Sequence, residues 1–307
     1  MTNIRNNDYI HCKYIYEDGE IHHDKIFLEH NTLVIQNPGN PDDYDRVFLT
    51  GFTTSLPLNT IVLYHFDLEN FVVNNPIPQT ITALHLINCR FKNLSCVHYL
   101  SRLRSFTFTL LARGSYQFSF KNSDYAPFKL LKTLGLSGVL LRRIPNFKGL
   151  KNLETLILID NMIPKIEGLE QFDKLKELHL QNNQIEKIEG LDNLHQLRRL
   201  YLYENKISLI ENLENLTNIE YLDLDYNIFF NENEYKMPLK KAQSYFGHMK
   251  NLVMLNDTLY PDNDFYKFHR NSEVPIDPFI GLPKGPSPRL QRIRERQKRR
   301  QERSEKV

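Results

Sequence analysis

The sequence predicts an α/β solenoid, with repeats stacked side by side and a curved parallel β-sheet on the concave side. Three observations predict it. Four lines read almost alike: LETLILIDNMIPKI from Leu153, LKELHLQNNQIEKI from Leu175, LRRLYLYENKISLI from Leu197 and IEYLDLDYNIFF from Ile219. They recur every 22 residues without slippage, so Asn161, Asn183, Asn205 and Asn227 fall in register, as do Leu156, Leu178, Leu200 and Leu222. Within each line apolar residues alternate with polar or variable ones, which is the period of a strand with one buried face.

A fixed period of this length carrying L-x-x-L-x-L-x-x-N-x-I is the signature of a leucine-rich repeat. Asparagine suits the turn that leaves the strand because its short side chain both donates and accepts. There it can satisfy backbone groups that would otherwise be buried without partners. The later apolar residues (Ile163, Ile166, Leu169 and Phe172; then Ile185, Ile188, Leu191 and Leu194) bring the chain back along the convex side. No repeat encloses its own core, so neighbours hold each other up. Each large apolar side chain buried this way stabilises by roughly 1.5–3 kcal/mol.

Residues 1–57 depart from the repeat and are read as a β-rich N-terminal cap, with a small independent domain as the alternative. A solenoid end exposes an apolar cross-section and needs an atypical lid. YIHCKYIY and EIHHDKIFLE flank Glu17-Asp18-Gly19-Glu20, a hairpin signal. A second strand pair is expected between LVI at 33–35 and RVFL at 46–49, around NPGNPDDYD.

The repeat domain is placed at 58–257 with about eight repeats, four irregular and then four regular. LNTIVLYHFDLENF and ITALHLINCRFKNL follow the template, with Cys89 in the asparagine position. LRSFTFTLL keeps the strand from Leu103. The next strand begins at Leu131, about six residues late, which places an insertion within 112–129. LKTLGLSGVLLRRI then carries Val139 where asparagine is expected. After Asn227, PLKKAQSYFGHM reads as a short amphipathic helix with Leu239, Ala242, Tyr245 and Phe246 on one side. A last strand is expected at Leu252-x-x-Leu255.

Residues 258–288 hold Pro261, Pro275, Pro278, Pro283, Pro286 and Pro288, which block helix and sheet and predict an extended segment. Residues 289–307 carry nine Lys or Arg against three Glu. That is +6 for the tail, so the preceding 288 residues carry −4 of the net +2. With only Leu290 and Ile293 as apolar anchors, the tail is expected to be disordered or a frayed helix. Three readings stay open for it: a solvated extension, a contact for an acidic partner or RNA, or a nuclear-localisation patch at Lys298-Arg299-Arg300.

Composition narrows the setting. Apolar content is 41%, with no run of about 18 apolar residues to span a membrane. The start MTNIRNNDYIHCKY has no apolar stretch typical of a secretory signal. Cys12, Cys89 and Cys96 show no pairing or metal spacing, which fits a reducing compartment. A cytoplasmic protein is expected, with nuclear or ciliary placement as alternatives, and a monomer.

No phosphate loop, nucleophile elbow or zinc motif occurs, so no enzyme, cofactor or metal is expected. His22-His23-Asp24 places neighbours on opposite faces of a strand. His179 is two strands from Asp223 and Asp225, roughly 10 Å at about 4.8 Å per strand, too far for a direct hydrogen bond.

Function is expected on the concave face, at template positions 3, 5, 7 and 8. The middle of the face is small or apolar, through Gly135, Ser137, Ile157 and Ile159. The C-terminal third is aromatic and charged: Glu177, His179, Arg199, Tyr201, Tyr203, Glu204, Tyr221, Asp223, Asp225 and Tyr226. Tyrosine and arginine are enriched at interface centres, so this patch is expected to bind a protein segment with basic and apolar features. Tyrosine also simply favours strand surfaces, which is the plain alternative.

From Leu58 to Asp257 the chain resembles the 22-residue class of leucine-rich repeat named for a regulatory subunit of protein phosphatase 1, and its end, MKNLVMLND, resembles the C-terminal cap of that class. Other members are the spliceosomal A-prime protein and several axonemal proteins. The resemblance implies an intracellular, non-enzymatic adaptor that binds protein, cytoskeletal or ciliary in setting. A ribonucleoprotein component, or a phosphatase regulator, is the alternative. Departures from the class are Asn227-Ile228 in place of Asn-Pro, the irregular front half, and the absence of an R-V-x-F docking motif, since Arg46-Val47-Phe48-Leu49 lacks the intervening residue.

Overall fold

The computed structural model describes residues 9–15, 21–27, 31–36, 46–50, 58–66, 68, 72–73, 80–91, 97, 100–111, 128–228, 245–252, 254–255 and 258–259. The chain divides into Met1–Tyr266 and Lys267–Val307, and every described residue belongs to the first unit. The turn at 17–20, most of the expected insertion, the start of the expected helix and the basic tail lie outside the described residues.

Template leucines become strands because their alternation buries one face. The repeat strands are β5 (Thr60–Tyr64), β7 (Ala83–Ile87), β8 (Ser105–Thr109), β9 (Thr133–Ser137), β10 (Thr155–Ile157), β11 (Glu177–His179), β12 (Arg199–Tyr201) and β13 (Tyr221–Asp223). They pair in parallel, each with the next, in one open curved sheet. Register is constant along the stack. Leu134, Leu156, Leu178, Leu200 and Leu222 lie side by side, and each is fully buried.

The core continues behind the sheet. In one repeat Leu153, Leu156, Leu158, Ile163, Ile166, Leu169 and Phe172 are all buried. The returning path is a succession of tight turns: Phe172 N–H donates to Leu169 O at 3.0 Å, and Leu175 N–H to Phe172 O at 3.1 Å. The same pair of bonds recurs at Leu191, Leu194 and Leu197, and at Phe147, Leu150 and Leu153. Apolar residues spaced by three therefore face inward where the chain turns. Phe147 and Phe172 meet across repeats at 6.4 Å between ring centroids.

Among the described residues, three strands extend the sheet beyond the eight. At the N-terminal end β3 (Thr32–Gln36) pairs in parallel with β5, placing Leu33 beside Ile61 and Ile35 beside Leu63. At the other end β14 (Met254–Leu255) pairs in parallel with β13, and β15 (Thr258–Leu259) folds back antiparallel to β14.

The expected pairing of 33–35 with 46–49 is therefore corrected. β4 (Arg46–Thr50) joins a second sheet, in the order β2-β1-β4-β6. β1 (Tyr9–Ile15) pairs antiparallel with β2 (Ile21–Phe27) and with β4, while β6 (Val72–Val73) runs parallel to β4. β6 comes from the returning half of the first repeat, so the small sheet is tied by backbone bonds to the solenoid's own chain.

A second correction concerns the segment before the last strand. Phe246 is fully buried, but Tyr245 is 41% exposed, so the two do not share a face. Phe246, Met249 and Leu252 instead resume the turn register: Met249 N–H donates to Phe246 O, and Leu252 N–H to Met249 O.

Candidate functional site

The floor of the site is fixed by the asparagine ladder. Asn183 accepts the Ile163 N–H at 3.0 Å and donates to Leu158 O, Leu180 O and Gln181 O at 2.9, 3.0 and 3.3 Å. Asn205 and Asn227 repeat this arrangement in the next two repeats, and Asn161 in the preceding one with two of the three carbonyls, Leu136 O and Ile159 O. All four are buried, as the expectation of satisfied backbone groups requires.

Cys89 performs half of this role. Its thiol points at Leu63 O (3.4 Å) and Ile87 O (3.6 Å), the positions that asparagine Nδ2 serves elsewhere. The acceptor half is replaced by backbone, since Leu68 N–H donates to Arg90 O at 2.8 Å.

In seven of the eight repeats the residue before the ladder position is left-handed, Leu110 being the exception, which the periodicity did not reveal. His65, Asn88, Asp160, Asn182, Glu204 and Tyr226 have φ between 52° and 62°, and Gly138 has 72°. In this conformation the Asp160, Asn182 and Glu204 N–H groups still reach the carbonyls of Gln181, Tyr203 and Asp225 in the next repeat. The hydrogen-bond ladder between strands is thus prolonged past the strands themselves.

Three rows of side chains cross β11, β12 and β13. Glu177, Arg199 and Tyr221 form the first; His179, Tyr201 and Asp223 form the second. Gln181, Tyr203 and Asp225 follow two residues further on. Glu204 and Tyr226 occupy left-handed positions at the rim.

Of the ten expected residues, His179, Glu204, Asp223 and Asp225 are buried. Glu177, Arg199, Tyr201, Tyr203, Tyr221 and Tyr226 are half-buried. What the face offers outward is therefore mainly tyrosine, with acid groups set deeper.

The first row is an ion pair. Arg199 Nη2 donates to Glu177 Oε1, and His179 Nε2 stands 3.6 Å from Glu177 Oε2. Burial would raise the Glu177 carboxyl, but the contacts with His179 and Arg199 outweigh it and hold it at about 2. Burial works against the Arg199 charge too, yet Glu177 raises its pKa. These two side chains largely neutralise each other.

Aromatic stacking builds the second row. His179 and Tyr201 stack at 4.3 Å between centroids, and Tyr201 meets Tyr221 at 4.7 Å. Burial lowers the His179 pKa, with Glu177 opposing in part, so the ring is neutral at pH 7. Gln181 Nε2 lies 3.5 Å from His179 Nδ1. An amide nitrogen only donates, so in this arrangement Nδ1 is the acceptor.

His179 and Asp223 are separated by the whole of Tyr201, as the strand spacing led one to expect. Among the described residues no group of three or more His, Cys, Asp or Glu could hold a metal ion. Among them, too, no helix is long and apolar enough to cross a membrane.

Gln181 was the residue missed in assembling the patch. It is 4% exposed, and its Oε1 has no hydrogen-bond partner among the described residues. Its place in the third row was the available signal.

With this geometry established, similarity to known proteins is informative at the level of the repeat. A family model described as leucine-rich repeats (two copies) matches residues 151–193 and 173–215. No curated protein matches the chain. Among solved structures, an internalin from Listeria monocytogenes is 16% identical with a TM-score of 0.40, covering 76% of each chain. Internalin C2 from the same organism is 22% identical with a TM-score of 0.36, covering 68% of this chain and 79% of its own. A leucine-rich repeat protein of Leptospira interrogans is 22% identical with a TM-score of 0.46, covering 65% of this chain and 60% of its own. The repeat family, the constant register and the asparagine ladder together identify a leucine-rich repeat solenoid, an architecture of protein-interaction scaffolds.

Proposed function

We propose that this leucine-rich repeat protein is a non-enzymatic adaptor that holds a protein partner on the C-terminal third of its concave face. One observation carries the reading: Tyr201, Tyr203, Tyr221 and Tyr226 are half-buried side by side on a scaffold whose backbone is pinned by buried asparagines. Rigid rings with a polar end offer large contact area at low entropic cost. His179 stacks on Tyr201 from the neighbouring strand, and Glu177 and Arg199 fix each other in the adjacent row. The 22-residue class resemblance supports an intracellular, cytoskeletal or ciliary setting, and the chain acts as a monomer.

Affinity purification of the full chain, followed by mass spectrometry, tests the reading when wild type is compared with Tyr201→Ala, Tyr203→Ala and Asp223→Lys. Specific partners should be lost from the variants. Recovery of the same partners in equal amount by all three removes the patch from the function.

A second reading rests on the basic residues at 289–307. In it the repeat domain holds a protein and the tail touches RNA or another acidic surface. RNA binding that falls steeply with salt and vanishes on deletion of 289–307 would favour it.

A further inference from the structure

We infer that the edge of the solenoid on which the strands begin carries a second interaction surface, which takes an acidic, extended protein segment along Arg102, Arg104, Lys129, Lys132 and Lys151. It lies at the start of β8, β9 and β10, whereas the concave patch belongs to β11, β12 and β13.

Backbone bonds align this edge. The Leu103, Leu131 and Leu153 N–H groups donate to Leu100 O, Phe128 O and Leu150 O, so each strand is entered through the same tight turn. The residues after these leucines form one column. Lys132 N–H donates to Arg104 O, and Glu154 N–H to Lys132 O, both at 2.7 Å. Asn152 Nδ2 donates to Lys129 O at 3.0 Å, which sets Lys129 beside the turn that carries Lys151.

Charge is sorted along the edge. The turns at 100–104 and 128–132 hold Arg102, Arg104, Lys129 and Lys132 with no acidic residue. The turn at 150–154 holds Lys151 and Glu154, and the one at 216–220 holds Glu220 alone. Residues 1–288 carry a net charge of −4, so the cluster runs against the charge of the chain around it. Arg102, Arg104, Lys129 and Lys151 are exposed, and none has a carboxylate partner among the described residues.

The edge also shows which anion it holds. Glu154 stands between Lys132 Nζ at 2.5 Å and Lys176 Nζ at 2.7 Å, one cation from each neighbouring repeat. Those two contacts hold its carboxyl at about 2. Towards β8 and β9 the same edge supplies the cations without the carboxylate, which an incoming Asp or Glu provides.

A nucleic acid fits less well. The rings next to these turns, Phe128, Phe147 and Phe172, are buried, so they offer no face on which bases stack. Leu130, 45% exposed, is what lies between the cations. From β8 to β10 the edge spans two strand spacings, roughly 10 Å at about 4.8 Å each. That is far less than the about 16 base pairs covered by a double-stranded RNA module. About three extended residues, rising about 3.3 Å each, match it.

The test uses the full chain with a hexaglutamate peptide acetylated at its N-terminus. Carbodiimide coupling joins carboxylates to lysine amines in contact, and mass spectrometry locates the links. They are expected at Lys129, Lys132 and Lys151, with a yield that falls as salt rises. Arg102→Gln and Arg104→Gln leave all three lysines in place as reporters. Each should lower the yield about two- to fivefold, and the pair about tenfold. Tyr203→Ala should leave it unchanged. Thermal unfolding checks that the variants are folded, and Lys151→Gln, read at Lys129 and Lys132, is a second variant from another repeat. Links confined to Lys298 and Lys306, or an unchanged yield in the folded double variant, overturn the inference. So does displacement of the peptide from these lysines by an equimolar ten-residue oligouridylate, which would assign the edge to nucleic acid. Links from these lysines to a second copy of the chain that exclude the peptide overturn it as well.

Discussion

The imidazole of His179 lies flat against the ring of Tyr201, with centroids 4.3 Å apart and planes 12° apart. Protonation would put a charge into this buried stack. An unfolded histidine titrates near 6.5, and folding lowers that value here. The folded state thus binds fewer protons below pH 6.5, and stability is lost as pH falls beneath it. Urea midpoints measured from pH 8 to pH 5 should decline, and His179→Phe should flatten that decline.

Glu177 extends the acid sensitivity to lower pH. Its carboxyl titrates at about 2 in the folded chain against 4.5 unfolded. Its contribution is present above pH 4.5 and lost as pH falls from 4.5 towards 2. Glu177→Gln should remove this lower part of the pH dependence while leaving the part above pH 5 largely in place. Measuring both variants over one pH series separates the two groups.

Asn183 satisfies one N–H and reaches three carbonyls. Asn183→Ala should lower stability by about 3 kcal/mol, since buried groups left unpaired each cost roughly 1–3 kcal/mol. Asn183→Cys should cost less, because Cys89 shows that a thiol serves the carbonyls of Leu63 and Ile87. Chemical denaturation of the pair checks the ranking, and an equal loss in both would contradict it.

Two glycines test how strongly the turns are constrained. At Gly138, φ is 72° and an added Cβ would stand 2.2 Å from Leu110 O. At Gly168, φ is 74° but nothing lies within 4 Å of that Cβ. Gly168→Ala should cost about 1–2 kcal/mol for the left-handed conformation alone. Gly138→Ala should cost clearly more, as a backbone oxygen must also move. Melting temperatures of the two variants give the comparison.

Phe246 and Tyr245 are adjacent but opposite in burial. Phe246→Ala should destabilise by about 3–5 kcal/mol. Tyr245→Ala should change stability by about 0.5 kcal/mol or less. Similar losses in both would restore the shared apolar face that the sequence suggested.

The repeat strands were legible because each template leucine serves one purpose, burial, in every copy: Leu153, Leu175 and Leu197 are all fully buried. The partner of β3 was not legible. Leu33 to Ile35 and Val47 to Leu49 look alike as apolar runs, and a turn-rich stretch between them suggested a local hairpin. The structure instead pairs β3 with β5, a parallel connection with no local turn to announce it. At the site, the rows were readable but their depth was not. Position-5 side chains crowd across strands: a Cβ at Gly135 would be 2.9 Å from Thr107 Cγ2. Residues pointing to the concave side can therefore be buried, as Ile157 and Asp223 are. The left-handed residues left a partial trace: His65, Asn88, Gly138, Asp160 and Asn182 are of types that adopt this conformation readily, whereas Glu204 and Tyr226 are not.

Each ladder asparagine reaches backward. Asn161, Asn183, Asn205 and Asn227 serve Leu136, Leu158, Leu180 and Leu202 in the preceding repeat, besides carbonyls of their own. The stack consequently has a grammar with a direction, in which every unit is completed by the one after it. A module transplanted into this array must bring the asparagine its predecessor lacks, and it inherits its own completion from the host's next unit. Exchange of whole units between Asn161 and Asn227 is therefore transparent to the backbone, whereas an array cut short after any of them leaves its last unit unfinished.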